Sequence, residues 1–282
     1  MSITIRMLPR QSRRLYRTNL HTSILLVIML TLMIQYGFSQ TRTVLHLSLD
    51  NKQSLKQSGA VSSGFFWFQS GIKGQAMGFD GIQTAVTVPS SKIGDLSGGF
   101  TLSASVAMEA YPWTMMAVID QELKEQGGFY LGIDPEGYPG LWVAAGNKWY
   151  SCLSPKKLPL YEWNHLTGTW SPDDGLRLYV NGRELAAVPT SGRFTPASEL
   201  DVLIGRNHTP RILHEAIRLP APTKCSLQGL IDEVRIESSV LNASVIADRY
   251  SKIRPKGPRP LNPPRLPAGP DGPGNFGASY AR

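Results

Sequence analysis

The chain has 282 residues, 41% of them hydrophobic and 18% charged, with 27 glycines, 21 prolines and only two cysteines. That is enough for one sizeable core and too little cysteine for a disulfide-dense scaffold. The formal charge of +8 falls to +3 once Arg6, Arg10, Arg13, Arg14 and Arg17 of the first 39 residues are set aside, so no basic stripe of a folded part points to nucleic acid.

Those arginines form an acid-free basic region followed by the apolar run Ile24 to Ile34. The run is shorter than the ~20 residues of an ordinary spanning helix. Gly37 and Ser39 stand at the spacing of a cleavage site. Residues 1–39 are therefore expected to be the helix of an export signal, leaving Gln40 first in a secreted protein with no further tie to a membrane. The alternative is an uncleaved segment that anchors the chain.

Residues 42–252 read as one all-β domain. Strands are expected at Thr43 to Leu49, at Ala76 to Phe79 and Ala85 to Val88 around the turn Asp80-Gly81-Ile82-Gln83, and at Phe100 to Met108. The last of these puts Phe100, Leu102, Ala104, Val106 and Met108 on one face and Thr101, Ser103 and Ser105 on the other. More follow at Met115 to Asp120, Gly128 to Ile133, Gly140 to Ala144, Trp163 to Trp170, Leu176 to Val180, Arg183 to Val188, Asp201 to Ile204 and Leu227 to Ile236. Asn181-Gly182 is the strongest hairpin signal, because both residues tolerate the positive φ of a two-residue turn. One short helix, Asn242 to Tyr250, closes the domain. Many short strands with regular turns mean two packed antiparallel sheets, a sandwich or jelly roll. Residues 253–282 hold eight prolines and five glycines and are expected to be a disordered linker leading to a further domain.

The last strand raises a question. Alternation places Glu233, Arg235 and Glu237 on one face and Asp232, Val234 and Ile236 on the other, so a carboxylate would share an apolar row. Glu233 and Glu237 are also the only pair spaced for glycoside cleavage, but Arg235 between them makes the trio read as a self-neutralised surface, and no catalytic residue is assigned. His46, His165, His208 and His214 lack zinc spacing. Cys152 and Cys225, in an exported chain, read as a disulfide, the alternative being two half-buried thiols.

Aromatic rings suit carbohydrate, since a flat face stacks on a sugar ring. Trp113, Trp149 and Tyr150, beside turns, are the candidate binding residues, whereas Phe65, Trp67, Trp142 and Trp163 are expected to fill the core. Asn207 and Asn242 match the glycosylation acceptor pattern.

Phe79-Asp80-Gly81, Leu178-Tyr179-Val180-Asn181-Gly182 and Gly229-Leu230-Ile231-Asp232-Glu233-Val234-Arg235, in this order, resemble the laminin G-like (LamG) jelly rolls of secreted bacterial proteins, within the concanavalin A-like lectin/glucanase superfamily. The resemblance covers Val44 to Tyr250. It implies a non-catalytic carbohydrate-binding or adhesive module that targets an attached extracellular protein to a polysaccharide, a glycoconjugate or an extracellular protein partner. A purely structural spacer and a glycoside hydrolase are the alternatives. It also implies a structural calcium, for which Asp50, Asp80 and Asp232 are the matching positions.

Overall fold

A computed structural model describes residues 42–124, 126–209 and 225–255 of the chain. The expected export signal at 1–39 and the linker from 256 onward lie outside the described residues.

The domain is a sandwich of two antiparallel sheets, as expected from the strand pattern. The eight-stranded sheet runs β13 (Arg183–Val188), β12 (Gly175–Val180), β11 (Asn164–Ser171), β6 (Phe100–Met108), β15 (Gln228–Glu237), β4 (Gln75–Asp80) and β3 (Phe66–Ser70). Its eighth strand, β1 (Thr43–Leu47), also pairs with β15. The seven-stranded sheet runs β10 (Lys148–Leu153), β9 (Pro139–Ala145), β8 (Gly127–Ile133), β7 (Met116–Leu123), β14 (Val202–Ile204), β5 (Ala85–Val88) and β2 (Val61–Ser63).

The core lies between the sheets. Phe100, Leu102, Ala104, Val106 and Met108 of β6 all face into it, as their alternation predicts. Phe100 is its aromatic centre, with ring centroids 5.2 Å from Phe129, 5.2 Å from Phe194 and 5.7 Å from Trp170. Burying rings of this size supplies a large share of the apolar driving force. The four aromatics expected here lie elsewhere. Phe65 is 43% exposed, Trp67 and Trp163 belong to a separate cluster with Ala76, Ala107 and Leu230 on the outer side of the eight-stranded sheet, and Trp142 faces outward from the other sheet.

Two hairpins follow from residues that accept left-handed backbone. Asn181 (φ 52°) and Gly182 (φ 75°) join β12 to β13. Gly146 (φ 56°) and Asn147 (φ 63°) join β9 to β10, a strand the sequence reading passed over. Helix α1 (Lys52–Ser58) was also unexpected; Asn51 caps it by accepting the N–H groups of Gln53 and Ser54. Helix α2 (Ala243–Ile253) runs one turn past its expected end and packs on the outer side of the eight-stranded sheet. There Ile246 packs with Tyr179 and Leu241, and Arg249 pairs with the fully buried Glu237.

No disulfide joins Cys152 and Cys225. Cys152 lies on the edge strand β10, whereas Cys225 precedes the bridge between Ser226 and Arg206, just beyond β14. With β9, β8 and β7 between, roughly four strand spacings of about 4.8 Å separate them, beyond the reach of an S–S bond. Burial pushes the Cys152 thiol up to about 11, which leaves it unreactive.

Candidate functional site

The outward side of the seven-stranded sheet carries a continuous cross-strand row. Val61 pairs with Thr87, Thr87 with Leu203, Leu203 with Asp120, Asp120 with Tyr130, Tyr130 with Trp142, and Trp142 with Ser151. Neighbours in such a row touch. Tyr130 and Trp142 stack face to face, their centroids 4.3 Å apart and their planes within 7°. Beside them is the Gly132–Gly140 pair, and a β-carbon at Gly140 would collide with the six-membered ring of Trp142. The glycine thus lets the indole lie down along the strand.

Tyr130 covers one face of Trp142. Across its other face is β10, where the opposite residue is Ser151, small and exposed. Trp149 and Leu153 flank Ser151 on the same side of the strand, and Leu153 is 45% exposed. The result is a shelf of half-buried indoles beside a hydroxyl, at the edge of the sheet.

The carboxylates are committed to structure on this side. Asp120 accepts the N–H groups of Glu122 (2.6 Å) and His208 (2.7 Å). The amide of Asn207 bonds to the backbone of Ala117 and Met115, and Asn242 Oδ1 caps helix α2 by accepting the Val245 N–H.

A second polar centre lies in the eight-stranded sheet, where β15 changes neighbours. Its first half pairs with β4 up to Ile231 opposite Met77, and its second half pairs with β1 from Val234 opposite Leu47. Between them is a bulge: the register to β6 shifts between Asp232 and Arg235, and Glu233 takes φ 50°. The extra residue turns Asp232 away from the core. Ile231, Val234 and Ile236 face inward, while Asp232 lies opposite Ser105 on the outer side, together with Arg235 and Glu237. The expected sharing of an apolar row by Asp232, Val234 and Ile236 is therefore incorrect, because the bulge inverts the alternation.

In the gap between β1 and β4 the Asp232 carboxylate replaces a strand partner. Its Oδ2 accepts the N–H groups of Ile72 (2.9 Å) and Lys73 (3.1 Å), and Asp50 Oδ1 accepts that of Gln75 (2.7 Å). The two aspartates clasp the 71–75 turn from both sides. Asp80 sits at the far end of β4 and folds its own turn by accepting from Ile82, Gln83 and Thr84. Two of the three positions expected for calcium converge and the third does not. Among the described residues no group of three or more His, Cys, Asp and Glu is placed to hold a metal ion. Asp232 Oδ1 is buried without a hydrogen-bond partner, leaving one oxygen that a proton or a cation could take. Burial, reinforced by the neighbouring Glu233 charge, pushes this carboxyl up to about 7.

Glu233 and Glu237, the pair weighed for glycoside cleavage, are both held by basic side chains. Burial raises the Glu233 carboxyl, but His46 and Arg235 outweigh it and bring it down to about 2; Arg235 Nη2 stands 2.9 Å away. Glu237 is fully buried against Arg249.

Of the expected binding residues, Trp149 lies on the Trp142 shelf. Tyr150, next to it on the strand rather than in a loop, packs against the core, its hydroxyl 2.9 Å from Ser191 Oγ. Trp113 is 39% exposed on the connection between β6 and β7.

Two antiparallel sheets enclosing one core, with strands distant in sequence paired through the middle of each, define a jelly-roll sandwich. Residues 80–247 match the concanavalin A-like lectin/glucanases superfamily, in its laminin G-like branch, and the chain belongs to that family. Among solved structures it is similar to domain 4 of AbnA, an extracellular GH43 arabinanase from Geobacillus stearothermophilus, determined in complex with arabinotriose. The TM-score is 0.54 at 18% identity, over 74% of this chain and 98% of that one. The binding domain of Paraclostridial Mosquitocidal Protein 1 is similar with a TM-score of 0.56 at 12% identity, over 75% and 52%. So is a structure of botulinum neurotoxin type C, whose cell entry depends on interaction with two ganglioside molecules, with a TM-score of 0.53 at 12% identity, over 76% and 52%. The chain thus spans about half the length of these two toxin structures. No curated protein sequence matches it.

Proposed function

We propose that the chain is a non-catalytic carbohydrate-binding module whose contact surface is the outward side of the seven-stranded sheet at β9 and β10. The observation that carries this reading is the Trp142 indole, backed by Tyr130 at 4.3 Å and facing small, exposed Ser151 on its other side. A ring already fixed by a stacked partner loses little entropy on binding, and a sugar ring laid on it gains apolar contact while Ser151 can meet a hydroxyl. Trp149 extends the shelf along β10. The solved relatives support the ligand class, since one was determined with arabinotriose and another interacts with gangliosides. Against glycoside cleavage by Glu233 and Glu237, Glu233 is driven to about 2 and holds no proton to donate, and Glu237 is fully buried against Arg249.

The test is retention on a panel of insoluble polysaccharides. The chain should bind at least one, release no reducing ends, and lose about tenfold in affinity (~1.4 kcal/mol) in W142A, which loses the Tyr130 stack but keeps the circular dichroism of the folded parent. No retention on any polysaccharide, or reducing ends that disappear in E233Q, contradicts the reading.

A further inference from the structure

Four cations that the sequence scatters converge at one end of the sandwich. A groove of about 450 Å³ opens between the β10–β11 connection, the β12–β13 turn and the last turn of helix α2. Lys156, Lys157, Arg183 and Arg254 line it with a single acid, Glu162, so the groove carries a net +3. None of the four cations forms an ion pair with any described residue. Arg177 and Arg235, by contrast, are neutralised by Glu184 and Glu233. A concave wall lined by one sign of charge concentrates counter-ions.

The walls are fixed before anything binds. The Lys157 ammonium lies 5.8 Å from the Tyr111 ring centroid and 5.3 Å from that of Tyr138, which positions it without neutralising it. Tyr250, which lines the groove, stacks on His165 at 6.4 Å. Arg254 is anchored through its backbone N–H to the Tyr250 carbonyl (2.8 Å) at the end of the helix.

We infer that this groove binds an acidic polysaccharide, one whose sugar rings carry carboxylates. Such a chain offers C–H faces to Tyr250 and spaced negative charges to the lysines and arginines. The groove is separate from the Trp142 shelf, so the two can fail independently.

The probe is polygalacturonate, titrated into the full chain at several salt concentrations, with duplex DNA of equal charge and the neutral polysaccharide retained by the shelf as comparisons. Polygalacturonate should bind more tightly than DNA, with an affinity that falls as salt rises. K156E/R183E should weaken it at least tenfold while leaving neutral polysaccharide binding and the melting temperature unchanged. Both positions are exposed, and K156Q/R183Q with a smaller loss in the same direction is the check on the charge reversal. The inference is overturned if polygalacturonate does not bind, binds independently of salt, binds no better than DNA, or binds both charge variants as well as the parent. Loss of the neutral polysaccharide arm alone would count against the proposed function and leave this groove standing.

Discussion

Asp232 occupies the point where β15 hands over from one neighbouring strand to another, and its carboxyl does what a missing backbone would have done. The cost is a buried oxygen, Oδ1, and an acid pushed up to about 7 from an ordinary 3.8. Linkage fixes the sign. A carboxyl whose pKa is raised by folding contributes stability while it holds its proton; that contribution is complete below about 3.8 and is lost as pH rises through about 7. Glu233, brought down to about 2, and His165, lowered to about 4 chiefly by burial, work in the opposite sense, losing their contributions as pH falls through those values. The difference between D232N and the parent isolates one group. In calcium-free buffer D232N should gain on the parent by on the order of 2 kcal/mol between pH 5 and pH 8, read from urea unfolding midpoints. A difference that stays constant with pH contradicts the assignment. Calcium provides the counter-test: an ion on Oδ1 would keep the carboxylate charged, raise the melting temperature of the parent alone and erase its pH slope, whereas no response means that a proton, not an ion, resolves the burial.

At the scale of elements, the buried pair of Glu237 and Arg249 fastens helix α2 to the eight-stranded sheet. Glu237 is fully buried, so R249A would leave an uncompensated charge; stability should drop by about 3 kcal/mol, and an unchanged unfolding midpoint would show that the helix is held by Ile246 and Leu241 instead. The same scale shows what the sequence could convey. Asn181-Gly182 announced its hairpin, and the alternation of β6 announced its inward face, because both are local. Gly146-Asn147 is as clear a turn, and taking it places Trp149 outward and Tyr150 inward along β10 instead of grouping both as binding residues beside a turn. Helix α1 left no such sign: seven residues with Leu55 alone buried give no period to see. The bulge at Glu233 was invisible for another reason. It depends on which strands flank β15, and a Glu with φ 50° is no turn signal, so the alternation read from Asp232 onward was inverted.

In the whole molecule the two sheets differ in what their outer sides do. The eight-stranded sheet is overlaid by helix α2 and carries buried polar residues such as Ser105 and His165, joined by a 3.0 Å hydrogen bond. The seven-stranded sheet instead presents Trp142, Trp149 and Leu153 at its β10 edge. Trp142, expected in the interior, is thus on the outer side, while Phe79, Phe100, Phe129 and Trp170 fill the core. Nothing in residue type distinguishes the two groups; only the register of β8, β9 and β10 does. The chain's six tryptophans make the central claim directly observable. In an indole N–H spectrum titrated with a fragment of the retained polysaccharide, Trp142 and Trp149 should shift while Trp67, Trp163 and Trp170 stay in place. Saturable shifts confined to the latter three, or to Trp113, with Trp142 and Trp149 unmoved, would contradict it.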